Sequence, residues 1–125
     1  MEIIAREKAL VRLANKASTD LSGKEGFIAE YDSGLKLSGG TNALGVITEG
    51  GATESDVAIL GTFDGVLRGK AAGTIAVGNK LKVDSNGKLA AYTSGAGTVV
   101  GIALQAGAAD ELVEFAPMAP EVRAA

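Results

Sequence analysis

Two glycine-rich segments come nearest to a phosphate-binding motif. Residues 65–71 (GVLRGKA) resemble a nucleotide-phosphate loop, but the glycine spacing is one residue short and Ala71 stands where a Mg²⁺-binding Ser or Thr is required. Residues 95–101 (GAGTVVG) resemble a dinucleotide fingerprint, yet β-branched residues follow where a helix must face the pyrophosphate. We interpret the first as a broken motif without a phosphate and the second as a loop that leads into a strand.

The acidic residues also fail to form a recognisable site. Residues 84–87 (DSNG) resemble the start of a calcium loop, but the twelfth loop position is Gly95 where an EF-hand requires Glu. The pairs Asp110-Glu111 and Glu54 with Asp56 are carboxylates that nothing in the sequence places in an apolar cleft, which acid–base catalysis needs. We interpret them as solvated loop charges.

The sequence contains neither His nor Cys. Histidine is the commonest general base and metal ligand, and cysteine is the thiolate nucleophile and disulfide former. The sequence therefore predicts a protein that is not an enzyme and that holds no metal and no cofactor.

The composition predicts one domain with a thin core. The chain has 125 residues, of which 46% are hydrophobic but only 4% aromatic, and 18 are glycine. Small aliphatic side chains contribute less burial free energy than aromatic ones, and glycine loses more chain entropy on folding. We expect such a chain to gain stability by associating with copies of itself or with a larger surface.

Charge and hydropathy exclude two classes of partner. The formal net charge is −3, whereas a nucleic-acid-binding domain is usually basic. No apolar stretch reaches the roughly 20 residues that span a membrane, and residues 1–13 lack the apolar core of a signal peptide. Positive charge is concentrated at the start, since residues 1–24 carry five basic and three acidic groups.

Residues 1–20 differ from the rest of the chain and are predicted to form an N-terminal arm. They contain no glycine, and apolar residues from Ile3 to Ala17 share one broad helical face, into which Glu7 intrudes. Both a short amphipathic helix and an extended arm that becomes ordered on a partner remain open.

Residues 21–116 are predicted to form an all-β domain, either a small glycine-rich barrel or a sandwich-like fold. Asn86-Gly87 predicts a tight hairpin turn between strands around 81–83 and 89–91. Pro117 and Pro120 predict the end of regular structure and a loose tail over 117–125. No repeat of fixed period is found. The strands are assigned to short apolar or alternating runs at 27–31, 35–37, 44–48, 57–63, 65–68, 74–77, 80–84, 88–92, 99–104 and 111–115.

An ordered series of segments resembles the phage capsid-decoration, or cement, proteins. It consists of residues 19–27 (TDLSGKEGF), 43–47 (ALGVI), 73–81 (GTIAVGNKL), 100–104 (VGIAL) and 112–115 (LVEF). The resemblance implies a structural virion protein without catalytic residues. It implies a β domain, commonly a homotrimer, on the outer surface of a phage head where capsomers meet. The implied partners are the major capsid protein and the chain itself, and the protein would be made in the host cytoplasm.

The N-terminal arm is the expected capsid contact, because an apolar stripe with basic edges suits a partly acidic subunit surface. Other readings remain open: another phage surface module, such as a spike, a fibre component or a carbohydrate-binding accessory domain, and a small enzyme or accessory domain. The residues expected to carry the contact are Ile3, Ile4, Arg6, Leu10, Val11, Arg12 and Leu13.

Overall fold

A computed structural model describes residues 12–61 and 65–124, with side chains from Asn15 to Ile59 and from Gly65 to Ala124. These residues form ten strands and no helix, so the all-β prediction is confirmed. The strands are β1 (Arg12–Lys16), β2 (Ile28–Tyr31), β3 (Leu35–Leu37), β4 (Gly45–Glu49), β5 (Asp56–Gly61), β6 (Leu67–Lys70), β7 (Lys80–Val83), β8 (Leu89–Tyr92), β9 (Gly97–Ala103) and β10 (Leu112–Arg123).

The strands form two five-stranded antiparallel sheets in a sandwich-like arrangement rather than a closed barrel. The first sheet has the order β1-β5-β4-β2-β3, and the second has the order β6-β10-β9-β7-β8. The second order is the first with every strand advanced by five. The described chain therefore consists of two halves with the same topology.

The backbone hydrogen bonds repeat between the halves as well. The parallel bridge between Ala17 and Leu35 recurs as Ala71 with Leu89, 54 residues later. Gly26, whose N–H bonds the carbonyl of Ile47, corresponds to Gly78, 52 residues later. The spacing between equivalent residues changes along the chain, so a search for a fixed period does not find the repeat.

Each half has its own cluster of buried apolar side chains. In the first half these are Ala17, Leu21, Phe27, Ala29, Leu35, Ile47, Val57 and Ile59. By strand register and bridge position, all of these except Phe27 have a buried counterpart in the second half: Ala71, Ile75, Leu81, Leu89, Ala103, Val113 and Phe115. The thin aliphatic core expected from the composition is thus divided into two smaller cores.

Strands β2 and β4 connect the two cores, because their alternate side chains face different halves. Ala29 and Ile47 belong to the first-half cluster, whereas Ile28 and Val46 belong to the second-half cluster. The N–H of Ile28 also bonds the carbonyl of Gly87 at 2.7 Å. Burial on both faces explains why these strands read as apolar runs rather than as a strict alternation.

The N-terminal arm expected over residues 1–20 is in part a sheet strand. Strand β1 pairs with β5 along its whole length, from Arg12 opposite Leu60 to Lys16 opposite Asp56, and Ala17 is fully buried. Of the two conformations left open for the arm, residues 12–16 adopt the extended one, because β5 offers an edge with which they can pair. Residues 1–11 lie outside the described residues.

The prediction of a loose tail from Pro117 is wrong, since β10 continues to Arg123 and its last residues pair with 97–99 of β9. Strand β6 covers β10 only as far as Phe115, and the register alternation turns the nitrogen of Pro117 toward this uncovered side. Pro120 lies within a register shift of the β9–β10 pair. Proline is tolerated at both kinds of position, because neither requires a ladder N–H there.

Candidate functional site

The two phosphate-like segments are parts of strands. Residues 67–70 form β6 and residues 97–103 form β9, and no helix follows either of them in the described chain. Without a helix N-terminus these segments cannot present a row of backbone N–H groups to a phosphate. Both motifs are therefore accounted for by strand formation.

The acidic side chains hold turns rather than form a reactive pair. An Asp84 oxygen accepts hydrogen bonds from the N–H groups of Asn86 and Lys88, each at 2.8 Å. Asp110 pairs with Lys88 at 2.7 Å, and Glu111 accepts the N–H of Ala108. The hydrogen bond from Lys88, followed by its charge, lowers the pKa of Asp110 below its ordinary value. Each of these carboxylates thus has a structural partner.

The described residues contain no group of three or more acidic side chains able to hold a metal ion. No helix long and apolar enough to cross a membrane is found among them either.

Asn86 and Gly87 lie in the connection between β7 and β8, whose last paired residues are Val83 and Leu89. Gly87 has a φ of +79°, whereas Asn86 is not among the residues with positive φ. The N–H of Gly87 bonds the carbonyl of Asp84 at 3.2 Å, which closes a four-residue turn. This turn connects the two halves, since the Gly87 carbonyl accepts a hydrogen bond from the N–H of Ile28 in the first half.

The aromatic side chains do not form an exposed cluster in the described part of the chain. Phe27 and Phe115 are buried, as expected for strand positions in the core. Tyr31 is 57% exposed, and the half-buried Tyr92 lies beneath the guanidinium of Arg123 and donates to the carbonyl of Gly95. A sugar-binding face usually presents adjacent exposed rings, and Tyr31 is the one aromatic side chain in the described part of the chain that is largely exposed.

Two of the grooves that lie where the halves meet have large apolar side chains in their lining. One has a volume of about 380 Å³ and is lined by residues of both halves, including Val46, Val66 and Leu112. The other has a volume of about 360 Å³ and is lined by apolar groups that include Tyr31, Leu44 and Val122. Both are shallow surface features without a buried polar group directed into them, so their chemistry suits contact with another protein better than catalysis.

The predicted contact residues lie at the start of the chain. Ile3, Ile4, Arg6, Leu10 and Val11 lie outside the described residues. Arg12 and Leu13 lie in β1, opposite Leu60 and Ile59 of β5. Strand β1 lies at the edge of the first sheet.

Comparison with known proteins settles the family. The family model of phage cement proteins matches residues 4–116. The chain belongs to the phage cement protein family. The match includes residues of both halves, so the cement protein is similar to its family from most of the segment before β1 to the middle of β10.

A solved structure of the same fold is the crystal structure of the head fiber gp8.5 N base in bacteriophage phi29. It has a TM-score of 0.66 with 15% sequence identity, and the match covers 88% of this chain and 94% of that chain. At this identity the likeness shows the fold alone. A search of the curated proteins finds no match for the cement protein. The family assigns the chain to the structural components of a phage virion.

Sequence reasoning missed the repeat and the position of β1 within the first sheet. A signal for both was present, because residues 12–17 (RLANKA) resemble 66–71 (VLRGKA), and 51–57 (GATESDV) resemble 107–113 (GAADELV). Aligning these pairs would have placed β1 in the first half as the counterpart of β6. Small, common residues make up most of both matches, so the signal is weak without the structure.

Proposed function

We propose that this cement protein binds the outer surface of a phage head and stabilises the shell by bridging major capsid protein subunits. The observation that carries the proposal is the cement family match over residues 4–116. Packaged DNA pushes capsid subunits apart, and a bridge adds its binding free energy at every site that it occupies. The protein would be made in the host cytoplasm and join the head there.

Self-association into a homotrimer is part of the proposal. Division of the aliphatic core into two small clusters supports it, because each cluster buries little area and gains from further contacts. A trimer also makes attachment multivalent, so that single weak contacts hold together. Sedimentation of the purified chain should give the mass of three copies, and a monomer at every concentration would contradict this part.

The capsid contact is proposed to lie in the segment before and at the start of β1. The apolar residues Ile3, Ile4, Leu10 and Val11 with Arg6 would dock on a subunit, and Arg12 and Leu13 would connect this segment to the sheet. The position of β1 at a sheet edge supports the proposal, because an edge strand is open on one side to a neighbouring surface.

Binding to undecorated heads tests the proposal. Removal of residues 1–11 leaves β1 in place and should abolish co-sedimentation with heads while the circular dichroism spectrum and melting temperature are kept. A double change Ile3→Asp with Ile4→Asp should do the same, whereas Ile3→Leu with Ile4→Leu should bind normally. If removal of 1–11 lowers the melting temperature strongly, the segment belongs to the chain's own core. If the shortened protein binds fully, the contact lies elsewhere.

A second candidate function is a base for a head fibre or spike, and the fold shared with the phi29 head fiber base favours it. Stoichiometry separates the two. A cement protein should occupy the head in hundreds of regularly placed copies, and a fibre base should carry a further protein at its outer end. A cryo-EM map of the particle would distinguish these outcomes.

A further inference from the structure

Four strands in the described chain lie at sheet edges: β1, β3, β6 and β8. Exposed edges attract other strands, and proteins commonly protect them with charged residues, lysine above all. Three of the four follow this rule, since β1 carries Arg12 and Lys16, β3 carries Lys36, and β6 carries Arg68 and Lys70. Strand β8, with the sequence LAAY, has no charged residue.

The repeat allows the charged strand β3 and the uncharged strand β8 to be compared residue by residue. Lys36 and Ala90 occupy equivalent positions, because each follows the leucine that makes the parallel bridge of its half. Lys36 lies opposite Glu30 and pairs with Glu30 and Asp32 at 3.8 and 3.3 Å, so the β3 edge is held by an ion-pair group. Ala90 lies opposite Lys82 and carries no charge, so no ion pair among the described residues lies along the β8 edge beyond Leu89, where Ala71 and Ala72 cover it.

The backbone of β8 presents free positions along this edge. The carbonyl of Leu89 points away from β7, because it accepts the N–H of Ala72 at 2.7 Å. By strand alternation the N–H and C=O groups of Ala91 point the same way, and extension of β8 by one residue on binding would give those of Thr93 the same direction. Strand β7 is the one ladder partner of β8 among the described strands, so these groups are available to an added strand.

The charge beside this edge selects the partner. Lys80 and Lys82 of β7 lie opposite Tyr92 and Ala90, on the outer face, and neither lies within ion-pair distance of a carboxylate in the described part of the chain. Pairing of β8 with β8 of a second copy would bring no carboxylate to these lysines, because β8 carries no charged residue. An extended segment with acidic side chains would instead neutralise both lysines.

We propose that β8 is a strand-addition site that takes an extended acidic segment of the capsid subunit. The inference rests on the proposed function and deepens it, because a second contact besides the N-terminal one would let each copy bridge two subunits. Main-chain hydrogen bonds from Ala91 and Thr93 hold the segment, and Lys80 with Lys82 selects its charge.

Ala90 provides a matched pair of variants for the test. Ala90→Glu can pair with Lys82, as Lys36 does with Glu30 in the first half, so the fold should be kept while an acidic partner is repelled. Ala90→Gln has nearly the same size without the charge. We expect Ala90→Glu to weaken binding to undecorated heads about tenfold or more, and Ala90→Gln to change it by less than about twofold.

Amide hydrogen exchange gives a second measurement on the unaltered protein. On binding to heads, exchange at Ala91 and Thr93 should slow, because their N–H groups become hydrogen-bonded. If the wild type binds heads while both amides exchange as before and Ala90→Glu binds like Ala90→Gln, strand addition at β8 is overturned and capsid binding stands. If both amides are already protected in the free oligomer, β8 pairs with a second copy, and the capsid segment is excluded. If the wild type fails to bind heads at all, both proposals fall.

Discussion

Two acidic residues occupy equivalent strained positions in the two halves. Glu54 and Asp110 have φ values of +72° and +68°, and their N–H groups bond the carbonyls of Ala17 and Ala71, each at 2.8 Å. Residues other than glycine rarely adopt this backbone conformation, and Asp and Asn do so more readily than Glu. In each half, the hydrogen bond to a buried alanine explains why the turn retains a positive φ at this position.

The Asp110–Lys88 pair should make a pH-dependent contribution to stability. The pKa of Asp110 is lowered by Lys88, so the contribution is present above the ordinary carboxyl pKa of 3.8 and is lost as the pH falls through the lowered value. Asp110→Asn suits a positive φ but removes the charge. Its melting temperature should lie below that of the wild type at pH 7 and meet it near pH 2.

Thermal melts of both proteins across this range measure the effect. Glu54→Gln is the control, since Glu54 lies at the equivalent position and pairs with no cation in the described part of the chain. A difference between Asp110→Asn and the wild type that persists at pH 2 would assign the effect to the turn rather than to the ion pair.

Substitutions at Gly87 and Gly78 distinguish the cost of a strained backbone conformation from the cost of close packing. Both have positive φ, +79° and +89°, but a Cβ at Gly87 would lie 2.9 Å from the carbonyl oxygen of Ile28, whereas a Cβ at Gly78 would meet nothing within 4 Å. Gly78→Ala should lower the free energy of unfolding by about 1 kcal/mol through conformation alone. Gly87→Ala should cost more than about 2 kcal/mol, because the turn must also move away from β2. Equal losses in urea unfolding would show that the contact with Ile28 can relax.

At the scale of the elements, the position of β1 determines how many N-terminal residues can be removed without loss of the fold. Residues 12–16 pair with β5, and Ala17 packs against the first-half cluster. A strand with a full ladder and a buried residue at its end is part of the sheet, whatever the segment before it contacts.

Removal of residues 1–17 should therefore abolish cooperative unfolding of the first half, because it uncovers one edge of β5 and takes Ala17 out of the core. Removal of residues 1–11 should not, because β1 remains. Circular dichroism spectra and thermal melts of the two truncated proteins test this. Similar melts would mean that β1 contributes little to the sheet, against the register observed.

At the scale of the whole molecule, the two halves are repeated but not independent. Ile28 and Val46 belong to the first sheet yet lie in the second-half cluster. The register places Lys80 and Ile102 at the equivalent positions of the second half, where Lys80 is exposed and Ile102 is 43% exposed. The face of the first sheet that carries Ile28 and Val46 thus packs against the second half, at a seam between the halves. The equivalent face of the second sheet, which carries Lys80 and Ile102, lies at the surface.

Ile28→Ala should destabilise the whole chain by about 2–4 kcal/mol, because it opens a cavity at the seam. The matched change Ile102→Ala should cost less than about 1 kcal/mol, because that side chain is partly in water. Urea unfolding followed by circular dichroism should show one transition for the wild type and for both variants. Two separate transitions in the wild type would show that the halves unfold independently.

The β character of this protein follows from local sequence alone. Period-two alternation at residues such as Leu81 and Val83, with Asp84-Ser85-Asn86-Gly87 after them, specifies strands and a turn over a few neighbouring residues. The order of family-like segments pointed to cement proteins for the same reason, since short segments keep their identity wherever they pack.

The tertiary structure alone decided how the strands combine. Strand β1 belongs to the first sheet because β5 offers it an edge. The paired residues Leu13 and Ile59 are 46 residues apart in sequence, and no local pattern contains that information. β10 continues through Pro117 because β6 ends before it. The halves are equivalent in the hydrogen bonds that Ala and Gly residues make. These residues are too common in the sequence for their identities alone to align the two halves. Side-chain patterns are local, whereas sheet order and the seam at Ile28 depend on contacts between distant parts of the chain.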